Sequence, residues 1–215
     1  MTIRVFLLDD HALVRSGLRM MLSAEPDIEV VGEAETGEVA LPMIRKLTPD
    51  VLLCDLHLPG ISGLEVTERI VKGGYGCKVV VVSVLEDGPI PKRLIEAGAS
   101  GYVAKAGDAT ELLRAVRDVA SGKRYLASGI AQHLALAAIA GTSSPFDGLT
   151  PRELEVAMLL AQGLRQEDVA KRLSLSSKTV NTHKARLFEK LDIQDNVALA
   201  RLCSQYGLSD PARVV

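Results

Sequence analysis

Apolar residues in the first half of the chain fall into short, nearly uninterrupted runs, separated by longer stretches with a helical repeat. The runs at 4–8, 29–31, 51–54, 78–82 and 101–103 are rich in Val and Leu and read as strands. Around them, residues 11–24, 36–47, 64–72, 91–97 and 109–121 place apolar side chains at i, i+3 and i+4, the spacing of amphipathic helices. Strands alternating with helices predict a parallel, doubly wound sheet of five strands, apolar on both faces because helices cover both. Pro42 falls inside the second helix, where it removes a backbone donor and predicts a kink.

From residue 149 to 208 the pattern is helical only. Thr150-Pro-Arg-Glu153 has the form of a capping box with Pro at the first helical position, and Gly163 suits the end of that helix. A second helix is predicted over 166–173, a third over 177–191 with Ser176 as its N-cap, and a fourth over 195–203. Residues 129–148 begin as a short helix and end in Gly, Ser and Pro, the composition of a linker. The expected organisation is an α/β domain over 1–122, a linker with a short helix over 123–148, and a small all-α domain over 149–215.

Composition narrows this reading. With 215 residues, 24% charged and 47% hydrophobic, the chain can bury two cores and is not of the disordered type. No apolar run reaches the ~18 residues of a membrane span. The opening Met1-Thr-Ile-Arg-Val-Phe-Leu-Leu-Asp-Asp10 lacks the form of a signal peptide, so a cytoplasmic location is expected. Cys54, Cys77 and Cys203 have no C-x-x-C spacing, which disfavours both a disulfide framework and a zinc site. Charge is uneven: residues 1–144 carry 15 Lys and Arg against 18 Asp and Glu, whereas residues 171–190 carry six bases against Glu189 alone. A basic patch on a mildly acidic chain points to a local polyanion site.

In an open parallel sheet the ligand crevice lies past the carboxyl ends of the strands. The first strand delivers Asp9 and Asp10 there, the third Asp55, the fourth Ser83 and the fifth, through Tyr102-Val-Ala-Lys, Lys105. Taken singly, each has an ordinary structural role as a turn, cap or solvated residue. Together, three carboxylates at one point repel unless a hard divalent cation sits among them, and Mg²⁺ suits oxygen ligands of that number.

The stretches Leu8-Asp-Asp-His11, Asp50-Val-Leu-Leu-Cys-Asp-Leu-His-Leu-Pro-Gly60 with Ser62-Gly-Leu64, the Val-rich strand ending at Ser83, and Gly98-Ala-Ser-Gly-Tyr-Val-Ala-Lys105 resemble a two-component receiver domain. The resemblance implies that Asp55 accepts a phosphoryl group. It implies Mg²⁺ held by Asp10, Asp55 and the backbone carbonyl of His57, with Asp9 acting mainly through water. Lys105 and Ser83 would take the phosphoryl oxygens, and Tyr102 would follow Ser83 inward. The His57 side chain is not required and is expected to be exposed. The rival reading is a phosphatase of the haloacid dehalogenase type, which also forms an aspartyl phosphate but needs D-x-D, where this chain has His57.

On the predicted third helix Val180, Leu187 and Leu191 form an inward stripe flanked by His183 and Phe188. Lys178, Asn181, Thr182 and Ala185 share the opposite face, suited to base edges and thymine methyls. Thr179, Lys184, Arg186, Lys190 and Lys171 are placed for phosphates. With 3% aromatic residues and no Trp there is no stacking platform for single strands, which disfavours RNA. Leu149-Thr-Pro-Arg-Glu-Leu-Glu-Val156 and Leu175-Ser-Ser-Lys-Thr-Val-Asn-Thr-His183 resemble the LuxR-type helix-turn-helix DNA-binding domain. Arg165 departs from that pattern, standing where a Ser or Thr cap is common.

A receiver followed by this domain resembles a NarL-type response regulator. Pro89-Ile-Pro91, Gly122-Lys-Arg-Tyr125, Ser144-Pro-Phe-Asp147 and Thr179-Val-Asn-Thr-His183 are similar to the GacA/UvrY subgroup. The resemblance implies a sensor histidine kinase or phosphotransfer domain as donor, double-stranded promoter DNA as target, RNA polymerase as a further partner, a homodimer when phosphorylated, and no membrane. The expected switch has the unphosphorylated receiver masking the third helix, with the fourth helix as the dimer surface on DNA. The competing expectation is a constitutive DNA binder with a silent receiver.

Overall fold

The computed structural model describes residues 2–84, 89–105, 107–132, 135 and 144–208. The chain divides into two compact units, the first built on residues 2–84 and 92–132 and the second on the residues from 144 onward. Residues 133, 134 and 136–143 of the predicted linker lie outside the described residues; residues 128–132 are helical, as its start was expected to be.

In the first unit the strands are β1 (Ile3–Leu8), β2 (Ile28–Ala34), β3 (Val51–Asp55), β4 (Lys78–Ser83), β5 (Gly101–Ala104) and β6 (Tyr125–Leu126). They form one parallel sheet in the order β2-β1-β3-β4-β5-β6. The helices are α1 (Ala12–Ser23), α2 (Gly37–Leu47), α3 (Gly63–Lys72), α4 (Pro89–Glu96) and α5 (Ala109–Ala120). Five strands were expected and six are present among the described residues. The added strand has two residues, held where Tyr125 N–H donates to Ser100 O at 3.0 Å and Ala127 N–H to Tyr102 O at 3.2 Å. A pairing so short carries no periodicity to read. α2 continues through Pro42, which lies on its exposed side, where water can serve the carbonyl left without a donor.

The continuous apolar runs are explained by burial on both faces. Val5, Leu7, Val51, Leu53, Val80, Val82 and Val103 pack with Leu22 of α1 and Leu112, Val116 and Val119 of α5. Each such side chain contributes about 1.5–3 kcal/mol by leaving water. Register then places the site. Leu8 pairs with Cys54, so Asp9 and Asp55 leave neighbouring strands side by side; Ser83 pairs with Ala104, one residue before Lys105. The site thus lies where the strand order reverses, between β1 and β3.

The second unit opens with a 3₁₀ turn, Pro145–Gly148, capped reciprocally by Ser144 and Asp147. Its Phe146 is buried, edge-on to Tyr206 at 5.9 Å between centroids. Four helices follow: α6 (Pro151–Ala161), α7 (Gln166–Arg172), α8 (Ser177–Leu191) and α9 (Asn196–Gln205). The Thr150–Glu153 capping box forms, Ser176 caps α8 through Thr179 N–H, and Arg165 gives α7 no side-chain cap, all as the sequence reads. α6 packs against α8 and α9, and α7 against α8, leaving one side of α8 uncovered.

Candidate functional site

Lys105 anchors the pocket at the end of the sheet. Its backbone N–H donates to Ser83 O at 2.7 Å, and its ammonium lies 2.8 Å from Asp9 Oδ2 and 2.9 Å from Asp55 Oδ2. Asp9 and Asp55 are both 3% exposed and Ser83 is fully buried. Burial pushes the Asp55 carboxyl above the usual carboxylate range; Lys105 opposes this, Asp9 adds to it, and the His57 backbone N–H hydrogen-bonds the ionised form. Burial alone would lower the Lys105 ammonium, but Asp55 and Asp9 hold it above its ordinary value. The result is a buried carboxylate with a lysine ammonium against one of its oxygens.

Asp10 completes the acid set. Oxygen atoms of Asp9, Asp10 and Asp55 and a ring nitrogen of His11 lie within 4.8 Å of one another. Asp10 Oδ1 is buried and accepts no hydrogen bond. An unsatisfied carboxylate oxygen beside two other carboxylates fits a hard divalent cation, because the three acids offer oxygen donors and their negative charge exceeds what Lys105 offsets.

The structure brings Asp9, Asp10, Asp55 and Lys105 together, with the Ser83 carbonyl held by the Lys105 backbone. His57 differs in its side chain, which is half-buried rather than exposed, because the turn after β3 folds back so that Gly63 N–H reaches Leu56 O at 3.0 Å. Tyr102 is fully buried. Two residues were missed. His11 has its Nδ1 3.2 Å from Asp9 Oδ1 and 2.8 Å from Asp10 Oδ1. Arg15, 8% exposed, donates to Asp9 O and to Glu35 Oε1, both at 2.6 Å. Arg15, Leu18 and Leu22 share the inward stripe of α1, and an arginine where that stripe calls for an apolar residue was the available signal.

On α8, Val180, Leu187 and Leu191 are buried as expected, and Lys178, Asn181, Thr182, Ala185 and Arg186 are exposed together, as is Lys171 on α7. Three of the predicted phosphate contacts look elsewhere. Thr179 is half-buried, with its hydroxyl 2.8 Å from that of Ser176; Lys184 lies over the Phe188 ring at 5.0 Å. The Lys190 ammonium donates to Glu153 Oε2 at 2.6 Å and Gly148 O at 3.2 Å. Lys190 therefore points into its own domain, and a phosphate would have to compete with a buried carboxylate. Glu153 is held below the usual carboxylate range: burial raises it, but Lys190 and the Thr150 N–H outweigh that. Burial lowers His183, whose Nδ1 is buried without a hydrogen bond.

A doubly wound sheet of this order, with acids and a lysine at its β1/β3 edge, joined in one chain to a helix-turn-helix, defines the DNA-binding response regulators. Residues 5–117 match the response regulator receiver domain, and residues 147–203 match the bacterial regulatory proteins of the luxR family. The chain belongs to the response-regulator family and is a transcriptional response regulator of the LuxR type. It is 43% identical over 212 residues to the response regulator GacA of Pseudomonas aeruginosa, covering 98% of this chain and 99% of that one. It is 41% identical over 208 residues to the response regulator UvrY of Escherichia coli K12, covering 96% and 95%. Among solved structures it is similar to the RcsB response regulator of Salmonella typhimurium, with 27% identity, TM-score 0.74, and 96% and 98% of the two chains covered. It is also similar to RcsB from Salmonella enterica serovar Typhimurium bound to promoter rprA in the presence of the phosphomimetic BeF₃⁻, with 26% identity, TM-score 0.71, and 95% and 99% covered.

Proposed function

We propose that Asp55 is the phosphoacceptor and that its phosphorylation, by a sensor histidine kinase or a phosphotransfer domain, converts the chain to a homodimer that binds promoter DNA in the cytoplasm and engages RNA polymerase. The observation that carries this reading is the placement of Asp55: a buried carboxylate at the end of a central strand, 2.9 Å from Lys105 and beside two further acids. Asp10, Asp55 and the His57 carbonyl would hold Mg²⁺, with Asp9 behind a water. Bound there, the cation supplies neutralisation of the incoming phosphoryl group.

The chain's own residues do the rest. Asp55 Oδ attacks the phosphorus, the bond to the donor nitrogen breaks, and the electron pair leaves with the donor. Lys105 and Ser83 donate to the phosphoryl oxygens. Two such charge-assisted bonds are worth roughly 1.5–3 kcal/mol each, against the about 5.5 kcal/mol that moves a two-state balance from 1:99 to 99:1. Dimerisation on DNA would supply the remainder. The acyl phosphate persists as a signal, so the chain accepts a group and turns over no separate substrate. The exposed Lys178, Asn181, Thr182 and Ala185 would read bases, with Arg186 and Lys171 on phosphates; α9 would be the dimer surface. The promoter-bound RcsB relative, captured with a phosphomimetic, supports this order of events.

The test is DNA affinity measured with and without acetyl phosphate and Mg²⁺. The expected result is a rise of tenfold or more on phosphorylation for the natural chain and none for Asp55→Asn. Equal affinity under both conditions would make the protein a constitutive DNA binder with a silent receiver.

A further inference from the structure

The strongest unexplained feature of the acid pocket is the side chain of His11. Its Nδ1 lies against Asp9 Oδ1 and Asp10 Oδ1 at once, at 3.2 and 2.8 Å. Ionised carboxylates only accept, so the nitrogen facing them carries a hydrogen. That hydrogen is directed at Asp9 Oδ1, while Asp10 Oδ1, though closer, is left without a hydrogen bond. The ring is thus a poor partner for Asp10, and its nitrogen lies among the carboxylate oxygens of Asp9, Asp10 and Asp55, all within 4.8 Å of one another. Asp9 does not depend on it: Asp9 Oδ1 also takes the His11 backbone N–H at 2.8 Å, Asp9 Oδ2 takes Lys105, and Asp9 O takes Arg15.

From this geometry we infer that His11 is a displaceable plug in the cation seat, a positioning residue that lowers Mg²⁺ affinity. The inference rests on the Mg²⁺ reading given above and deepens it. Mg²⁺ takes oxygen ligands in a near-octahedral set and has little use for imidazole, which suits transition metals instead. With the ring nitrogen 2.8 Å from Asp10 Oδ1, an ion approaching that oxygen from the same side meets the imidazole first. Loading the seat therefore requires the ring to leave, and it is able to: the His11 side chain is 45% exposed, sits at the N-cap of α1, and makes no capping hydrogen bond that would hold it. The consequence is regulatory. Occupancy of the seat, and with it the rate at which Asp55 accepts a phosphoryl group, becomes graded with Mg²⁺ concentration.

The test is calorimetric titration of the full chain with MgCl₂, for the natural sequence, His11→Ala and Asp10→Asn, with thermal unfolding of each to establish that it is folded. His11→Ala is expected to bind Mg²⁺ roughly three- to tenfold more tightly, the range set by the one hydrogen bond, to Asp9 Oδ1, that the ring gives up when it leaves. Equal or weaker binding by His11→Ala overturns the inference, the weaker result making His11 a supporter of the ion. The imidazole resonances of His11, assigned by their absence from the His11→Ala spectrum, should shift when Mg²⁺ is added to the natural chain; unmoved resonances would equally overturn it. If neither the natural chain nor His11→Ala binds Mg²⁺, the cation reading itself has failed. If both bind and Asp10→Asn does not, that reading stands, and the comparison of the first two decides the role of His11.

Discussion

Lys190, near the end of α8, donates to Glu153, near the start of α6, across 2.6 Å. The Glu153 side chain is 3% exposed, so the pair pins α8 to α6. Removing the lysine leaves a buried carboxylate whose remaining donor is the Thr150 N–H at 2.8 Å. Because Lys190 is itself partly exposed, the cost is discounted for solvent to about 1–2 kcal/mol.

Lys190→Ala is accordingly expected to lower the unfolding midpoint of the DNA-binding unit while leaving the salt slope of DNA binding unchanged. Arg186→Ala should do the reverse, reducing the slope by about one with little effect on stability. Affinity measured at several salt concentrations, alongside thermal unfolding, separates the two roles.

Base reading and phosphate contact should separate in the same way. Asn181 is exposed on the uncovered side of α8, so Asn181→Ala should cost about 1–3 kcal/mol on the preferred site and little on unrelated DNA. Competition binding with specific and random duplexes measures the difference.

Acid should weaken the second unit in two stages. His183 is held below its ordinary 6.5 by burial, with Arg152 and Arg186 nearby and Glu153 opposing them. Below that value the unfolded chain takes a proton that the folded one resists, so stability falls as pH drops from 6.5 towards the depressed folded value. Glu153, also depressed, adds a second loss below its ordinary 4.5, as acid strips the Lys190 pair of its charge. Hydrogen exchange in α6 and α8 across this range should show both stages, and His183→Gln should remove the first.

In the receiver, Lys105→Gln leaves Asp9 and Asp55 facing each other without their shared cation. The Asp55 carboxyl, already raised by burial, should rise further, and adduct formation from acetyl phosphate should slow by roughly tenfold to a thousandfold, as loss of one charge-stabilising donor does elsewhere. Initial rates of phosphorylation check this.

Most of this molecule was legible in its sequence because its two periodicities are clean. Strands buried on both faces leave uninterrupted apolar runs, and capping residues mark Pro151–Ala161 and Ser177–Leu191 at the positions where those helices begin. What was not legible depends on contacts between distant residues. The Lys190–Glu153 pair spans 37 positions, and nothing local to either residue announces it. β2 runs from Ile28 to Ala34, longer than its apolar run, because it is an edge strand whose polar Glu29 and Glu33 pair with β1 through their backbones. His57 was placed outside because histidine is polar; a turn that folds back on β3 half-buries it.

The central claim is that Asp55 carries the phosphoryl group, and peptide mapping tests it most directly. After incubation with acetyl phosphate and Mg²⁺, borohydride reduction of the acyl phosphate and mass spectrometry should place the modification on Asp55 in the peptide that contains Cys54 and His57. Label found instead on Asp9, Asp10 or a histidine, or retained in full by Asp55→Asn, would contradict it.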